Sequence, residues 1–316
     1  MKYSKVIIDG HNLYHRNYHA NQNLTFTIED QEIVTGGVYG FLRSLNKIRR
    51  EYLSDAGEVY IVFDNSHSKV EARRRLSPDY KNNRSTMPRS FFRGIEFLQL
   101  ILLRYENNQY VVYRHKYEAD DLVEPILEQF SEYDRTLLVS TDLDWARSIR
   151  QNVHWLSRDT LYDPVSFQQE FGFHPTHSSV SLYKTFKGDP VDGIKNPIPR
   201  FPFDSLVEIM SKFSDIYEVY GAVEDSPEKL ATVSEKWIEK LRDPEVKDQM
   251  YINWELVSFR GAEYSEIEDA VYECAFSERK KASLRALYTS LGFTPETIDS
   301  RFEDTALDPL IGWDTL

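Results

Sequence analysis

The chain has 316 residues, with 38 Lys plus Arg against 51 Asp plus Glu, a formal charge of −13. That length suits one large domain, or a core with an appendage, and suffices for a real hydrophobic interior. The acidity argues against a general polycationic nucleic-acid binder, and the single cysteine, Cys274, rules out an intramolecular disulfide framework. Nothing after Met1 leads into a signal-peptide core, and apolar runs such as Phe97 to Leu103 fall well short of the roughly 20 residues a membrane helix needs. A soluble, monomeric protein of a reducing cytoplasm is expected.

From the N-terminus, short β-branched runs alternate with longer amphipathic stretches. Val6-Ile7-Ile8 leads into Asp9, Val59 to Phe63 into Asp64, and Leu137 to Thr141 into Asp142; Tyr110 to Tyr113 and Val153 to Leu156 are two further runs. Uninterrupted apolar runs of this length suit buried parallel strands. Between them, apolar residues recurring at three and four predict helices over Val38 to Tyr52, Ser90 to Tyr105, Ala119 to Tyr133 and Trp145 to Arg150. The alternation predicts an α/β fold with a central, mostly parallel sheet flanked by helices. After Gly188 the texture changes. Pro190, Pro197, Pro199 and Pro202 precede helix-like stretches at Asp204 to Phe213, Pro227 to Leu241 and Ser277 to Leu291. The expected organisation is therefore a core over residues 1–190 and a mostly helical region over 191–316.

In a parallel sheet, ligands bind at the carboxyl ends of the strands, and three runs end there in aspartate. Asp9, Asp64, Glu118, Asp120, Asp121, Asp142, Asp144, Asp189 and Asp192 all stand at expected strand ends or helix starts. A single such Asp is as well explained as a helix cap. Nine sharing one cleft could not all stay ionised without countercharge, and divalent cations are the natural source of it. An all-oxygen donor set without Cys or His at ligand spacing favours Mg2+ or Mn2+ over zinc. With those nine set aside, 42 acids face 38 bases, so most of the net acidity resides in the candidate site.

A second bias lies nearby. Lys69, Arg73, Arg74, Arg75, Lys81, Arg84, Arg89 and Arg93 face only Glu71 and Asp79 between residues 69 and 93, with Tyr80, Phe91 and Phe92 interleaved. Cations contact phosphates and aromatic rings stack on bases, so this stretch is a candidate nucleic-acid contact. Gly36 and Gly37, at the expected start of a helix, would let a phosphate backbone approach its N-terminus.

These residues together resemble the 5′-nuclease superfamily, that is, bacteriophage flap endonucleases and 5′-exonucleases and the 5′-nuclease domain of bacterial DNA polymerases. The resemblance runs over about residues 4–195. It rests on Ile8-Asp9-Gly10 with Leu13, Arg16 and Tyr18-His19-Ala20; on Gly36-Gly37-Val38-Tyr39-Gly40-Phe41-Leu42; and on Phe63-Asp64. It continues through Asp79-Tyr80-Lys81-Asn82-Asn83-Arg84, Glu118-Ala119-Asp120-Asp121, Ser140-Thr141-Asp142-Leu143-Asp144 and Lys187-Gly188-Asp189-Pro190-Val191-Asp192. It implies a PIN-like core with an arch-like basic segment near residues 66–93. It also implies a structure-selective, two-metal phosphodiesterase acting on DNA with 5′ ends, nicks or flaps, and in some members on RNA–DNA hybrids.

By the same resemblance, Asp9, Asp64, Glu118, Asp120 and Asp121 would surround one divalent ion and Asp142, Asp144, Asp189 and Asp192 the other. Lys81 and Arg84 would stabilise charge on the phosphate, while Arg16, Gly36, Gly37, Arg73, Arg74, Arg75, Tyr80, Arg89 and Arg93 would contact DNA. His11, His15 and His19 recur at intervals of four, but they match positions that are not ligands in the family. One segment departs from the pattern. Gly193 stands where asparagine is usual, and the proline-rich stretch after it has no Gly-x-Gly-x-Lys, which leaves a K+ site and the usual duplex grip without their residues. Two alternatives compete: a PIN-type ribonuclease, which is usually shorter and lacks the Tyr-Lys-x-x-Arg box, and a catalytically silent DNA-junction binder. None of the nine carboxylates is replaced, which speaks against the silent form.

Overall fold

A computed structural model of the chain describes residues 2–28, 31–64, 73–82, 87–102, 109–113 and 118–258. Lys69, Arg84 and the helix expected from Ser277 to Leu291 lie outside these residues. The β-branched runs become a six-stranded sheet in the order β5-β4-β1-β6-β7-β8, where β1 is Tyr3–Asp9, β4 Leu53–Phe63, β5 Gln109–Tyr113, β6 Thr136–Val139, β7 Val153–Ser157 and β8 Thr160–Tyr162. Only β8 is antiparallel to its neighbour; every other pairing in this sheet is parallel. A separate hairpin joins β2 (Thr25–Ile28) to β3 (Gln31–Val34).

Both faces of the sheet are covered, so the strands read as continuous apolar runs. On one face Val6, Ile8, Val59, Ile61 and Phe63 pack against α1 (Gly10–Ala20), α2 (Gly36–Tyr52) and α3 (Arg89–Leu102). On the other, Ile7, Tyr60, Val62 and Leu138 share a core with α4 (Val123–Glu128), α5 (Pro164–Phe171) and α6 (His177–Lys187). That second core continues without a break into α7 (Phe203–Lys212), α8 (Ile216–Asp225), α9 (Glu235–Arg242) and α10 (Pro244–Val257) through Leu206, Val219, Leu241 and Trp254. Among the described residues no helix is long and apolar enough to cross a membrane.

Several expected elements change form. The helix expected from Ala119 to Tyr133 is a 3₁₀ turn, Ala119–Leu122, followed by the short α4, and Trp145 to Arg150 lies largely in a 3₁₀ turn over Leu143–Ser148. In both, acidic side chains bond local backbone N–H groups, which favours turns over long helices. Pro227 to Leu241 splits into a 3₁₀ turn, Pro227–Leu230, and α9.

Gly36 and Gly37 are buried against α1. A Cβ at Gly36 would lie 1.9 Å from the Asn21 carbonyl oxygen, and one at Gly37 would lie 2.7 Å from the Tyr14 ring. They let two helices approach closely and are not presented to a phosphate, so the DNA contact expected of them is withdrawn.

Candidate active site

The order of the sheet explains why the acids meet. β4, β1 and β6 are adjacent, and Asp64, Asp9 and Asp142 follow or end them at their carboxyl ends. They line a cleft of about 760 Å³ together with Glu118, Asp120, Asp144, Asp189 and Asp192. Asp121 is the exception. It is fully buried behind the cleft, where its Oδ2 accepts from the Glu118 backbone N–H at 3.0 Å in a reciprocal capping box. Its place is that of a support for Glu118.

Asp9, Asp64, Asp142 and Asp189 are each seated by a backbone N–H group. Asp9 caps α1 by accepting from the Asn12 N–H at 2.9 Å, and its other oxygen accepts from the Ser140 hydroxyl at 2.8 Å. Asp64 accepts from the Ala119 N–H at 2.7 Å, while its own N–H donates to Nδ1 of His11 at 2.9 Å. Asp142 accepts from the Asp144 N–H at 3.0 Å, and Asp189 from the Val191 N–H at 3.0 Å. Local backbone bonds thus hold these side chains at the strand ends, and Asp9 has both oxygens engaged.

The cleft also contains its own cations. On the side of Glu118, Arg73 and Lys81 both contact that carboxylate, and the Lys81 ammonium stands 4.0 Å from Asp192. On the opposite side Lys184, 4% exposed, lies 2.7 Å from Asp144, 2.9 Å from Asp189 and 3.8 Å from Asp142, and Arg147 contacts Asp144. The electrostatics follow. Burial, then the charge of Asp64, pushes Asp9 up to about 8. Burial together with neighbouring acids holds Asp120 and Asp142 above the usual carboxylate range. Burial opposes ionisation of Asp144 as well, but Arg147 and Lys184 outweigh it and hold that carboxyl below its ordinary value.

Lys184 and Arg147 escaped the sequence reading. Both carried a signal there: a lysine on the apolar face of an amphipathic helix five residues before Asp189, and an arginine one turn after Asp144.

As they stand, no three Asp, Glu, His or Cys side chains among the described residues converge tightly enough to hold an ion. The donor set nevertheless fits hard divalent cations. Every cleft carboxylate offers oxygen, and burial together with neighbouring acids raises three of them, Asp9, Asp120 and Asp142. His15 and His19 pair with each other on the exposed face of α1, their Nε2 atoms 3.1 Å apart, and His11 faces Asp64.

Among the expected DNA contacts, Arg16 lines the cleft and Arg75, Arg89 and Arg93 are exposed, while Arg74 donates to the Tyr80 carbonyl at 3.3 Å. Tyr80 does not present its ring to a base. It is 3% exposed, packed on Ile194, Leu256 and Val257, with Arg73 and Lys81 against its face.

Residues 4–172 match the family described as 5′-3′ exonuclease, N-terminal resolvase-like domain, which is more than half of the chain. The chain belongs to the 5′-3′ exonuclease family. It is 29% identical over 234 residues to a 5′-3′ exonuclease of Buchnera aphidicola, covering 71% of this chain and 77% of that protein. It is 28% identical over 231 residues to the flap endonuclease Xni of Vibrio campbellii, with 70% and 81% covered. The fold also matches the crystal structure of the T5 D15 protein with metal ions, at a TM-score of 0.64 and 18% identity, over 86% of this chain and 99% of that one.

Proposed function

We propose that this family member is a divalent-metal-dependent phosphodiesterase that cuts DNA from 5′ ends or at 5′ flaps. The observation that supports this most is the fan of carboxylates at three adjacent strand ends, with the Lys81 ammonium lodged between Glu118 and Asp192. Asp9, Asp64, Glu118 and Asp120 would hold one ion and Asp142, Asp144, Asp189 and Asp192 a second. Divalent ions held there would activate a water and neutralise the leaving 3′ oxygen.

The chain's own groups would do the remainder. Lys81, which contacts Glu118 in the cleft, would place its charge on the non-bridging oxygens of the scissile phosphate as they gain charge. Arg16 and Arg73, at the mouth of the same cleft, would hold flanking phosphates. His11 lines the cleft and accepts the Asp64 N–H through Nδ1, and burial lowers its pKa against the charge of Asp64.

The test is incubation of the protein with 5′-labelled flap, nicked and blunt duplexes in Mg2+, Mn2+ or EDTA. Metal-dependent release of 5′ fragments is expected, and cleavage that continues in EDTA would sink the proposal. Fragment length then separates the two modes, mononucleotides for exonucleolytic and one junction-sized product for endonucleolytic cutting.

A further inference from the structure

The departure at Gly193 coincides with a contact that leaves no room for a Cβ while the turn at residues 79–82 stays in place. The loop from Asp189 to Ile194 is closed by two backbone hydrogen bonds between those residues, at 2.9 and 2.8 Å, and Gly193 within it has φ +72°. Against it lies the turn that carries Lys81. The Lys81 N–H donates to the Asp192 carbonyl at 2.8 Å, and Asn82 N–H closes the turn on the Asp79 carbonyl at 3.1 Å. A Cβ at residue 193 would stand 2.3 Å from that same Asp79 oxygen and 3.1 Å from its carbonyl carbon. These are backbone atoms within hydrogen-bonded turns, so neither can swing aside as a flexible side chain would. Lys81 itself has φ 52°, a conformation uncommon for a residue with a side chain. The neighbouring Tyr80 ring is sunk between Ile194, Leu256 and Val257, which fixes the turn from the other side.

We propose that Gly193 is a positioning residue for Lys81: by lacking a Cβ it lets the turn at residues 79–82 seat on the Asp192 backbone, which places the ammonium between Glu118 and Asp192. The lysine-bearing turn and a carboxylate-bearing loop then form one unit, and the distance from lysine to acids is set by main-chain contact. Asp79 to Lys195, at 3.2 Å, adds an exposed ion pair to the same junction, and its contribution is minor. The functional part of this inference rests on the reading of Lys81 as a group that acts on the phosphate; the positional part does not.

The experiment uses the full chain with Gly193→Ala and Gly193→Asn, each alone and combined with Lys81→Ala. Lysines are labelled by reductive 13C-methylation, and the Lys81 resonance is assigned by its absence in Lys81→Ala. In the wild type it is expected away from the solvent-exposed lysine cluster, and in both Gly193 variants it should move into that cluster while the melting temperature stays within a few degrees.

Single-turnover cleavage of a 5′ flap should slow at least tenfold in Gly193→Asn, with the Kd for the flap changed less than threefold, and the loss should vanish in the Lys81→Ala background. An unmoved Lys81 resonance, or an equal tenfold loss with and without Lys81, overturns the proposal. If Asn at this position does not fold, the Gly193→Ala pair decides it by the same criteria. A displaced resonance with a Lys81→Ala enzyme that still cuts at the wild-type rate would uphold the positioning and refute the catalytic reading of Lys81.

Discussion

The two flanks of the cleft neutralise their carboxylates in different ways. On the Glu118 side the cations, Arg73 and Lys81, come from a short segment outside the sheet that is held by a turn-to-loop contact at Gly193. On the Asp144 side they are built into the body of the protein, Lys184 on α6 within the second core and Arg147 on the 3₁₀ turn after β6. On that second flank Arg147 and Lys184 hold Asp144 below its ordinary value against burial, while Asp142 stays above its own through burial and the charge of Asp144. A charge supplied by the core serves stability first, whereas one supplied by a docked turn can be handed to a substrate.

The comparison fails if the two lysines behave alike. Lys184→Met leaves Asp142, Asp144 and Asp189 without their shared buried cation. It should cost about 3–5 kcal/mol in urea unfolding with EDTA, part of which Mg2+ restores; a loss under 1 kcal/mol would remove the structural role assigned to that flank. Lys81→Ala should instead slow single-turnover cleavage by roughly 10²-fold or more while changing stability by less than about 1 kcal/mol, as for removal of a preorganised charge from an active site. Loss of flap binding with unchanged chemistry would refute its role.

Asn253 tests the rigidity of the second flank. From α10 its amide donates to the carbonyls of Thr185 at 2.9 Å and Lys195 at 2.8 Å, joining α6 to the loop after Asp192. Asn253→Ala should cost about 1–3 kcal/mol, read by thermal or urea unfolding, because one buried and one part-buried carbonyl lose their donor.

The smallest effect is expected far from both flanks. His154 pairs its Nδ1 with the Tyr3 hydroxyl at 2.8 Å, and burial lowers its pKa from the ordinary 6.5. A depressed value in the folded state means stability that is present above pH 6.5 and declines as the pH falls through the folded-state value. His154→Gln should remove that acid-side slope in unfolding measured from pH 7.5 to 5. An unchanged slope would show that His154 does not cause it.

The sheet was legible in sequence because parallel strands buried on both faces, such as Val59 to Phe63, read as unbroken apolar runs. α1 was not. Its buried face is made of Leu13, Tyr14 and Tyr18 among polar residues, so the apolar periodicity is faint. The hairpin of β2 and β3 has strands of four residues, too short for a clear alternation. In the site, the acids announced themselves by their place after strands. The burial of Tyr80 and of Gly36 and Gly37 depends on distant partners, Leu256 and Val257 for the first and Tyr14 and Asn21 for the others, which no local pattern reveals. The same holds for Gly193, a departure in sequence that gains its physical reason only from the backbone of Asp79, distant in sequence and packed against it.

The central claim is that the carboxylate cleft carries out metal-dependent cleavage, and Asp142→Asn tests it most directly. The substitution keeps the shape and the acceptor oxygen while removing a charge that burial, and then the neighbouring acids, already disfavour. Measured by single-turnover cleavage and binding of a 5′-labelled flap in Mg2+, the variant should bind DNA within a few-fold of the wild type and cut at least 10³-fold more slowly. Cutting within tenfold of the wild-type rate would contradict the account.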